Sequence, residues 1–398
     1  MTVTPTSRRY VSAGLLGVTM LYGHVVYPVY IGLRSRGLDA PEARDPETWP
    51  ALTIVVAAYR EAAVIGAKID ELTGDAYPGP REIIIVADDP ATAQAARRPG
   101  VTVLFSGERL GKIEAVNRGV EASTSPIVVL TDANAVMAPD ALRVIARHFT
   151  DPTVGAVAGE KRVDDPSGAQ GFSWKFESWL KQRESATGNT LGVVGELLAF
   201  RREVFRRIPP GVMVDDAWIA LDVVEGGQRV VYEPSAYTME SSSPTFRDEW
   251  ERRIRVVAIN LDLLWRRREV LVPGALPVTP QIWGHRLVRS SFGPMAHVAL
   301  VGLAVPAAAR GSRIARLFLA GNAAGVASLA AVASGRRPPA PVRLVGQVFF
   351  LQAVALGGVR RFLSTNRDAA WPKPERVAVG GGTPTQPTAE DHPALAEA

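Results

Sequence analysis

Polar side chains follow three apolar runs of the sequence at the point where each run ends. Tyr59-Arg60-Glu61 follows the first run, Asp88-Asp89 the second and Asp132-Ala133-Asn134 the third. Carboxylate and amide groups in such positions bind polar ligands, and they also cap helices and form turns. Any one cluster can be turn chemistry, but three clusters at the same edge of a sheet favour a ligand site. A further acidic pair, Asp215-Asp216, lies later in the chain, and two adjacent carboxylates can raise the pKa of one of them.

The apolar runs have the composition of buried parallel strands, because they are short, continuous and rich in β-branched residues. The predicted strands are residues 51–58, 82–87, 101–105 and 126–130. Residues 61–72, 112–122 and 217–224 are predicted helices. Strands that alternate with helices predict an α/β fold with a mostly parallel sheet and right-handed crossovers. The carboxyl ends of these strands would bring the polar clusters to one edge.

The composition excludes several kinds of site. The chain has 398 residues and no cysteine, which excludes thiolate zinc sites, iron–sulfur clusters and thiol catalysis. Its five histidines are scattered, so a histidine cage for a metal is not expected. Residues 270–367 contain eleven arginines and no acidic residue. That pattern is typical of helices beside anionic lipid headgroups and argues against a nucleic-acid partner.

Residues 10–33 form an uncharged segment of 24 residues, long enough to cross a hydrocarbon core of about 30 Å. Arg8 and Arg9 lie in the N-terminal segment before it, at residues 1–9, so a cleaved signal peptide is the alternative. The run is longer than the apolar part of a typical signal peptide, and no A-x-A cleavage site follows it. We therefore expect a retained transmembrane helix in which Pro28 can introduce a kink.

Three further apolar segments lie near the C-terminus, at residues 290–309, 317–335 and 344–359. Their alanines and glycines suit close packing of helices in lipid, although buried helices of a soluble core are the alternative. The third segment is short enough to be re-entrant or interfacial. We expect membrane helices within residues 290–361, amphipathic interfacial helices within residues 246–289, and a disordered tail at residues 377–398.

Six short segments between residues 52 and 258 carry a family resemblance. In order they are Ala57-Ala58-Tyr59-Arg60-Glu61, Asp88-Asp89, Arg109-Leu110-Gly111-Lys112 with Ala115, Asn117 and Gly119, Thr131-Asp132-Ala133-Asn134, Val214-Asp215-Asp216 and Arg252-Arg253-Ile254-Arg255. They resemble, in the same order, the Pro-Ala-Tyr-Asn-Glu opening, the first aspartate motif, the G-K-x-x-A-x-N-x-G segment, the metal-binding D-x-D, the later acidic motif and the Q-x-x-R-W segment of the family-2 inverting glycosyltransferases. The membrane segments are similar to those of bacterial polysaccharide synthases such as the poly-N-acetylglucosamine, cellulose and hyaluronan synthases.

The resemblance implies a fold and a set of ligands. The fold is GT-A, a Rossmann-like and mostly parallel sheet flanked by helices, here at residues 50–245, with one N-terminal and about three C-terminal membrane helices. The donor is a nucleotide-diphosphate sugar, expected to be a UDP-sugar. The cofactor is Mg²⁺ or Mn²⁺, which prefer the hard oxygen ligands that carboxylates supply.

The resemblance also implies the residues of the site. It assigns the donor to Ala58, Tyr59, Glu61, Asp88, Asp89, Gly111, Lys112, Asn117, Asp132, Arg252, Arg253 and Arg255. It assigns the metal to Asp132 and Asn134. The general base is Asp216, with Asp215 as its neighbour and the alternative.

Two departures from the family pattern change what is expected. The D-x-D motif is D-A-N here, and Asn134 offers a neutral amide oxygen, so the metal site should be weaker than one with two carboxylates. Replacing Asn134 by aspartate is therefore expected to be tolerated. Val256 stands where Q-x-x-R-W has its tryptophan, which argues against a long channel for processive synthesis.

The sequence thus predicts a multi-pass glycosyltransferase of the bacterial plasma membrane, with its catalytic domain in the cytoplasm and a role in cell-envelope polysaccharide synthesis. The expected acceptor is a glycan, and a polyprenyl phosphate or another lipid is the alternative. The third hypothesis is a protein of a different class, a non-catalytic membrane sensor that binds a nucleotide sugar. Donor hydrolysis by the purified protein separates the enzyme from the sensor.

Overall fold

A mixed sheet of eight strands forms the centre of the computed structural model, which describes residues 5–38, 43–164, 171–241, 245–336 and 338–364. The strands are β1 (Leu52–Ala58), β2 (Arg81–Ala87), β3 (Val101–Phe105), β4 (Ile127–Thr131), β5 (Val136–Met137), β6 (Val154–Asp164), β7 (Leu198–Arg201) and β8 (Arg229–Ser241). Their order across the sheet is β3-β2-β1-β4-β7-β6-β8-β5. β1 to β4 are parallel to one another, whereas β7 is antiparallel to β4 and β6, and β5 to β8. The prediction of an α/β fold is confirmed.

The helices of the described ranges cover both faces of the sheet and continue into a C-terminal bundle. They are α1 (Pro5–Leu21), α2 (Tyr27–Arg34), α3 (Ile65–Gly74), α4 (Pro90–Ala95), α5 (Lys112–Ala122), α6 (Ala141–Arg147), α7 (Gly171–Ala186), α8 (Asp215–Glu225), α9 (Phe246–Arg266), α10 (Thr279–Gln281), α11 (Gly293–Ala309), α12 (Arg313–Ala333) and α13 (Ala340–Ser364). Two π-helical segments, Tyr22–Val26 and Ile282–Phe292, join α1 to α2 and α10 to α11.

Two apolar layers hold the sheet in place. Successive side chains of a strand point to opposite faces, so β1 contributes Val55 to one layer and Ile54 to the other. Val55 packs in the layer that contains Val116 of α5, and Ile54 in the layer that contains Ile69 of α3. Both strand residues are at most 1% exposed, which explains why this strand is apolar along its length. The layer that contains Val55 also contains residues of α5 and α8, so it packs both helices against the same face of the sheet.

One helix begins later than the sequence pattern predicts. Residues 61–72 have helical spacing, but α3 starts at Ile65, and the backbone N–H groups of Val64 and Ile65 both donate to the carbonyl of Glu61 in a turn. The turn follows Arg60, whose φ of 56° is in the left-handed region that non-glycine residues seldom adopt. The turn occupies the first residues of the predicted helix, so α3 begins only after it.

Four helical segments of the described residues are long and apolar enough to cross a membrane: Val11–Arg34, Thr279–Ala309, Arg313–Ala333 and Ala340–Ser364. They confirm the prediction of one N-terminal and three C-terminal membrane helices. In the first, the π-helical segment ends two residues before Pro28, a residue without the N–H that an α-helix needs there. The last segment is 25 residues long, so by length it can span as well. The predicted tail at residues 377–398 lies outside the described residues.

Helix α9 connects the sheet to the membrane helices, and it packs against α13. The contact is close because α13 carries glycines on that face: a Cβ atom on Gly358 would lie 2.3 Å from Cγ1 of Val257. Small residues allow helix backbones to approach in this way. Helix α9, which carries the arginines that the family resemblance assigns to the donor, is therefore packed closely against α13.

Candidate active site

The ends of the parallel strands and the starts of two helices bring one lysine and three aspartates together. Lys112 is the first residue of α5, Asp132 directly follows β4, and Asp215 and Asp216 are the first two residues of α8. The Lys112 side-chain nitrogen lies 3.3 Å from Oδ1 of Asp132 and 3.3 Å from Oδ2 of Asp215. Sequence-distant motifs thus meet at the sheet edge where the α/β fold binds its ligands.

Asp88 holds the loop that presents Lys112. Its carboxylate accepts hydrogen bonds from the backbone N–H groups of Gly111, at 2.6 Å, and Leu110, at 3.3 Å. Gly111 has a φ of 88°, a conformation that glycine adopts without strain, and it directly precedes α5. The N-terminus of that helix leaves backbone N–H groups exposed, which suits an anion such as a diphosphate.

Asp89 caps a helix. Its side chain accepts from the backbone N–H of Thr92 at 2.9 Å, at the start of α4, and from the backbone N–H of Arg60 at 2.7 Å. These bonds lower the pKa of Asp89 even though burial acts in the opposite direction. The sequence left open which aspartate of the pair would cap the helix, and the geometry assigns the cap to Asp89. The hydrogen bond from the backbone N–H of Arg60 to Asp89 holds Arg60 in its left-handed backbone conformation.

Asp216 has the electrostatic properties of a general base. Burial, followed by repulsion from Asp215, raises the pKa of Asp216 to about 7, although Lys112 acts in the opposite direction. Its carboxylate also accepts the backbone N–H of Ala217 at 2.6 Å. A carboxylate with a pKa near neutrality can accept a proton from a substrate hydroxyl and release it again.

Asp215 has different contacts from Asp216. It is 5% exposed and contacts Lys112, and within the described residues its Oδ2 atom is buried without an aligned hydrogen-bond donor. Burial lowers the pKa of Lys112, but the carboxylates of Asp132, Asp215 and Asp216 outweigh it and raise that pKa well above its ordinary value. The lysine therefore stays charged next to Asp216.

A second charged cluster borders the first through Asn134, and the sequence motifs did not indicate its other members. The Asn134 side-chain amide nitrogen donates to Oε1 of Glu240 at 3.1 Å. Lys161 of β6 forms ion pairs with Glu240 of β8 and with Glu196, which lies before β7. β8 lies between β6 and β5, so these residues meet only through sheet pairing. No local pattern of the sequence could have identified them.

The donor set at the D-A-N motif fits a hard divalent cation that shares its coordination with a diphosphate. Asp132 offers a carboxylate that is 24% exposed, and Asn134 offers an amide oxygen. Among the described residues, no three histidine, aspartate or glutamate side chains lie close enough together to hold a metal ion by themselves. The remaining ligands would be oxygens of the donor diphosphate and water, as is usual for Mg²⁺.

The other residues that the resemblance assigns to the donor have partners of different kinds. Tyr59, beyond Ala58 at the end of β1, stacks with Arg109, whose guanidinium carbon is 4.3 Å from the ring centroid. The backbone N–H of Glu61 donates to the hydroxyl of Thr92 at 2.9 Å. Asn117 is 1% exposed and exchanges two hydrogen bonds with the backbone of Ile208, so its amide supports the fold.

The arginines of α9 are partly committed to pairs within their own helix. Arg252 makes two hydrogen bonds with Glu249, each 3.0 Å long, and Arg253 also pairs with Glu249. These pairs lower the pKa of Glu249 to about 2 against the effect of its burial. Arg255 lies one turn further along the same helix. Arg252 and Arg253 thus share Glu249 of their own helix as an ion-pair partner.

Comparison with known proteins gives relatives of one kind. An N-acetylglucosaminyltransferase from Rhizobium sp. (strain N33) is 24% identical over 231 residues, 50% of this chain and 50% of that protein. A poly-beta-1,6-N-acetyl-D-glucosamine synthase from Staphylococcus aureus is 23% identical over 219 residues, 51% and 53% of the two chains. A beta-monoglucosyldiacylglycerol synthase from Synechocystis sp. is 29% identical over 164 residues, 37% and 33% of the two chains. The chain spans about half the length, or less, of these curated relatives.

Among solved structures, a mannosyltransferase from Pyrobaculum calidifontis in complex with GDP-mannose and Mn²⁺ superposes with a TM-score of 0.70. It is 25% identical, and the match covers 89% of this chain and 99% of that chain. The model of the family described as "Glycosyltransferase like family 2" matches residues 50–258, just over half of the chain. The chain therefore belongs to glycosyltransferase family 2 and has the GT-A fold.

Proposed function

We propose that the chain is a membrane-bound inverting glycosyltransferase that moves a sugar from a nucleotide-diphosphate sugar to a glycan acceptor. The observation that carries the proposal is the meeting of Lys112, Asp132 and the Asp215-Asp216 pair at one sheet edge. Displacement at an anomeric carbon needs a cation beside the leaving diphosphate and a base on the opposite side. This cluster supplies both within a few ångströms.

Asp216 acts on the acceptor. Its carboxylate takes the proton of an acceptor hydroxyl while the hydroxyl oxygen forms a bond to the anomeric carbon. The bond between that carbon and the diphosphate oxygen breaks in the same step, and the nucleoside diphosphate leaves with the electron pair. A single displacement of this kind inverts the configuration at the anomeric carbon. The pKa of about 7 lets Asp216 act near neutral pH.

Lys112 and the start of α5 act on the leaving group. Negative charge grows on the diphosphate as the bond breaks, and a nearby ammonium group and free backbone N–H groups stabilise it. Asp132 and Asn134 would hold Mg²⁺ or Mn²⁺ beside the same oxygens. When bound, the cation supplies Lewis-acid stabilisation of that developing charge. Asp88 contributes by fixing the loop before Lys112.

Gly195 leaves room for the acceptor next to the base. A Cβ atom added to Gly195 would lie 3.7 Å from Oδ2 of Asp216, 3.7 Å from Oδ1 of Asp215 and 3.4 Å from the Lys112 nitrogen. The backbone of the segment before β7 therefore borders the carboxylate pair without a side chain between them. An acceptor hydroxyl can approach Asp216 along this side.

A lipid acceptor is the second candidate, and two observations favour it. One relative is named for a glycosylated diacylglycerol, and α9 packs directly on the membrane helix α13. An acceptor embedded in the bilayer would reach the sheet edge along this helix pair. Extraction of labelled product into organic solvent distinguishes the two acceptors, because only a glycolipid partitions with lipid.

The catalytic residues are proposed to face the cytoplasm of a bacterial plasma membrane, where nucleotide sugars are made. The experiment that tests the function is a thermal-shift panel of UDP, GDP and their sugars, each with and without Mn²⁺ or Mg²⁺, followed by donor hydrolysis. A ligand that binds the native state raises its apparent stability by mass action. Stabilisation without hydrolysis or transfer would favour a non-catalytic sensor, and the absence of any stabilisation would refute the proposal.

A further inference from the structure

The contact between Asn134 and Glu240 lies at the motif where the chain departs from D-x-D. Asn134 follows Asp132 by two residues, and Glu240 lies near the end of β8. β5 pairs with β8 so that Val136 faces Met239, which makes Asn134 and Glu240 neighbours across the sheet edge. The amide nitrogen of Asn134 lies 3.1 Å from Oε1 of Glu240.

This contact determines which way the Asn134 amide faces. An ionised carboxylate has acceptors and no donor, so the amide must turn its NH₂ group toward Glu240. The amide oxygen then points away from Glu240 and is the atom available to a cation. Without such a partner, an asparagine side chain can present either its oxygen or its nitrogen, and the nitrogen cannot bind a metal ion.

Glu240 is itself held in place. Its other oxygen pairs with Lys161, and the two side chains are 20% and 18% exposed. Lys161 also pairs with Glu196, so its charge is shared between two carboxylates. A largely buried ion pair of this kind limits the rotamers of Glu240, and through it those of Asn134.

We propose that Glu240 is a positioning residue for the cation site: it fixes Asn134 so that the amide oxygen faces the cation that the donor brings. The site thereby keeps a second carboxylate, but this carboxylate contacts the side chain of Asn134 instead of the cation. This inference rests on the proposed function, because it concerns the cation of the same donor site. Partners that orient a metal ligand typically change metal affinity by about 10–100-fold when removed.

The test measures Mn²⁺ binding by electron paramagnetic resonance, once in the presence of GDP and once in the presence of UDP. The full-length protein in detergent or nanodiscs is compared with Glu240→Ala, Glu240→Gln, Asn134→Ala and the Asn134→Ala/Glu240→Ala double variant. Glu240→Ala should weaken Mn²⁺ binding by about 10–100-fold. Glu240→Gln should retain most of the affinity, because its amide oxygen still accepts from Asn134. The double variant should bind no more weakly than Asn134→Ala, since Glu240 acts through Asn134.

Glu196→Gln is the matched control. Glu196 pairs with Lys161, as Glu240 does, but the hydrogen bond from Asn134 goes to Glu240. Its Mn²⁺ affinity should stay close to that of the wild type. Unchanged affinity in Glu240→Ala, or additive losses in the double variant, would overturn the positioning role while the proposed function stands. Equal losses in Glu240→Gln and Glu240→Ala would also overturn it, because charge alone would then be responsible. If the wild type binds no Mn²⁺ with either nucleotide, both this inference and the metal-assisted function are wrong.

Discussion

Lys112 and Asp215 lie on different helices, yet their charged atoms are 3.3 Å apart. Each residue is the first of its helix, so the contact joins the N-termini of α5 and α8. The two adjacent aspartates therefore differ in their surroundings. Asp215 pairs with the lysine, whereas burial and repulsion from Asp215 raise the pKa of Asp216 to about 7. The proposal that Asp216 is the base, with Asp215 beside Lys112, rests on this contact.

Asp132→Ala is expected to abolish sugar transfer while the protein still folds and inserts into the membrane. Asp132 is the carboxylate of the D-A-N motif, and the variant leaves the site with a neutral ligand at Asn134. Transfer is measured with saturating Mn²⁺, and folding by size-exclusion chromatography and thermal unfolding. Asp70→Ala, which removes an exposed carboxylate paired with Arg98, is the control and should keep full activity. Near-normal turnover in Asp132→Ala would remove Asp132 from the metal site.

The pH dependence of transfer reports the state of Asp216. A base must be deprotonated to act, so kcat should rise with pH through about 7 and then reach a plateau. Lys112 lowers the pKa of Asp216, so Lys112→Met should move the rise to higher pH as well as weaken donor binding. Rates are compared at saturating donor so that binding does not enter the profile. A rise at the same pH in both proteins would contradict the electrostatic coupling.

Asn134→Asp, which the sequence alone suggests is harmless, is expected to destabilise the metal-free protein. The new carboxylate would face Glu240 across the present distance of 3.1 Å, and a hydrogen bond would become a like-charge contact. The loss of a buried polar pair costs about 1–3 kcal/mol, or roughly 2–4 °C in Tm for each kcal/mol in a domain of this size. Adding Glu240→Gln should restore the Tm toward that of Glu240→Gln alone, because the glutamine amide can donate to the new carboxylate. An unchanged Tm in the single variant would show that the two side chains separate freely.

The orientation of the protein in the membrane is a separate prediction. Nucleotide sugars are cytosolic, so residues 50–268 should face the cytoplasm, with Arg34 and Arg36 on the inner side of the first membrane helix. Protease treatment of inside-out vesicles should cut this domain, whereas right-side-out vesicles should protect it. The opposite pattern would remove the donor from reach and refute the proposed function.

The sequence was sufficient to predict the elements that depend on local patterns. The apolar run at residues 101–105 is β3, and the helix predicted at residues 112–122 is α5 with the same bounds. Asp132 was predicted from its place at the end of an apolar run, whereas Lys112 and Asp216 were assigned by the family resemblance. Periodicity and strand composition are local properties, so these parts could be read without knowledge of the fold.

The contacts that depend on strand order could not be predicted. Glu240 reaches Asn134 because β8 pairs with β5, and nothing in the local sequence encodes that pairing. Asn117 matches a family motif, but its amide is buried against the backbone of Ile208. The roles of Asp88 and Asp89 were separated only by the hydrogen bonds of their neighbours. Motif position identifies a residue type at a site, whereas the tertiary contacts decide what its side chain does.

The most direct test of the account is to measure transfer rate and donor affinity together in Asp216→Asn. Loss of a general base typically costs about 10²–10⁴ in rate, so kcat should fall by that order while the Kd for nucleotide and Mn²⁺ stays nearly unchanged. Asp215→Asn is the matched comparison, because it removes the neighbouring charge: it should lower the rate less and weaken donor binding more, since Asp215 contacts Lys112. Reversed severities would move the base to Asp215. If Asp216→Asn abolished nucleotide binding, the residue would belong to the donor site and the proposed mechanism would be wrong.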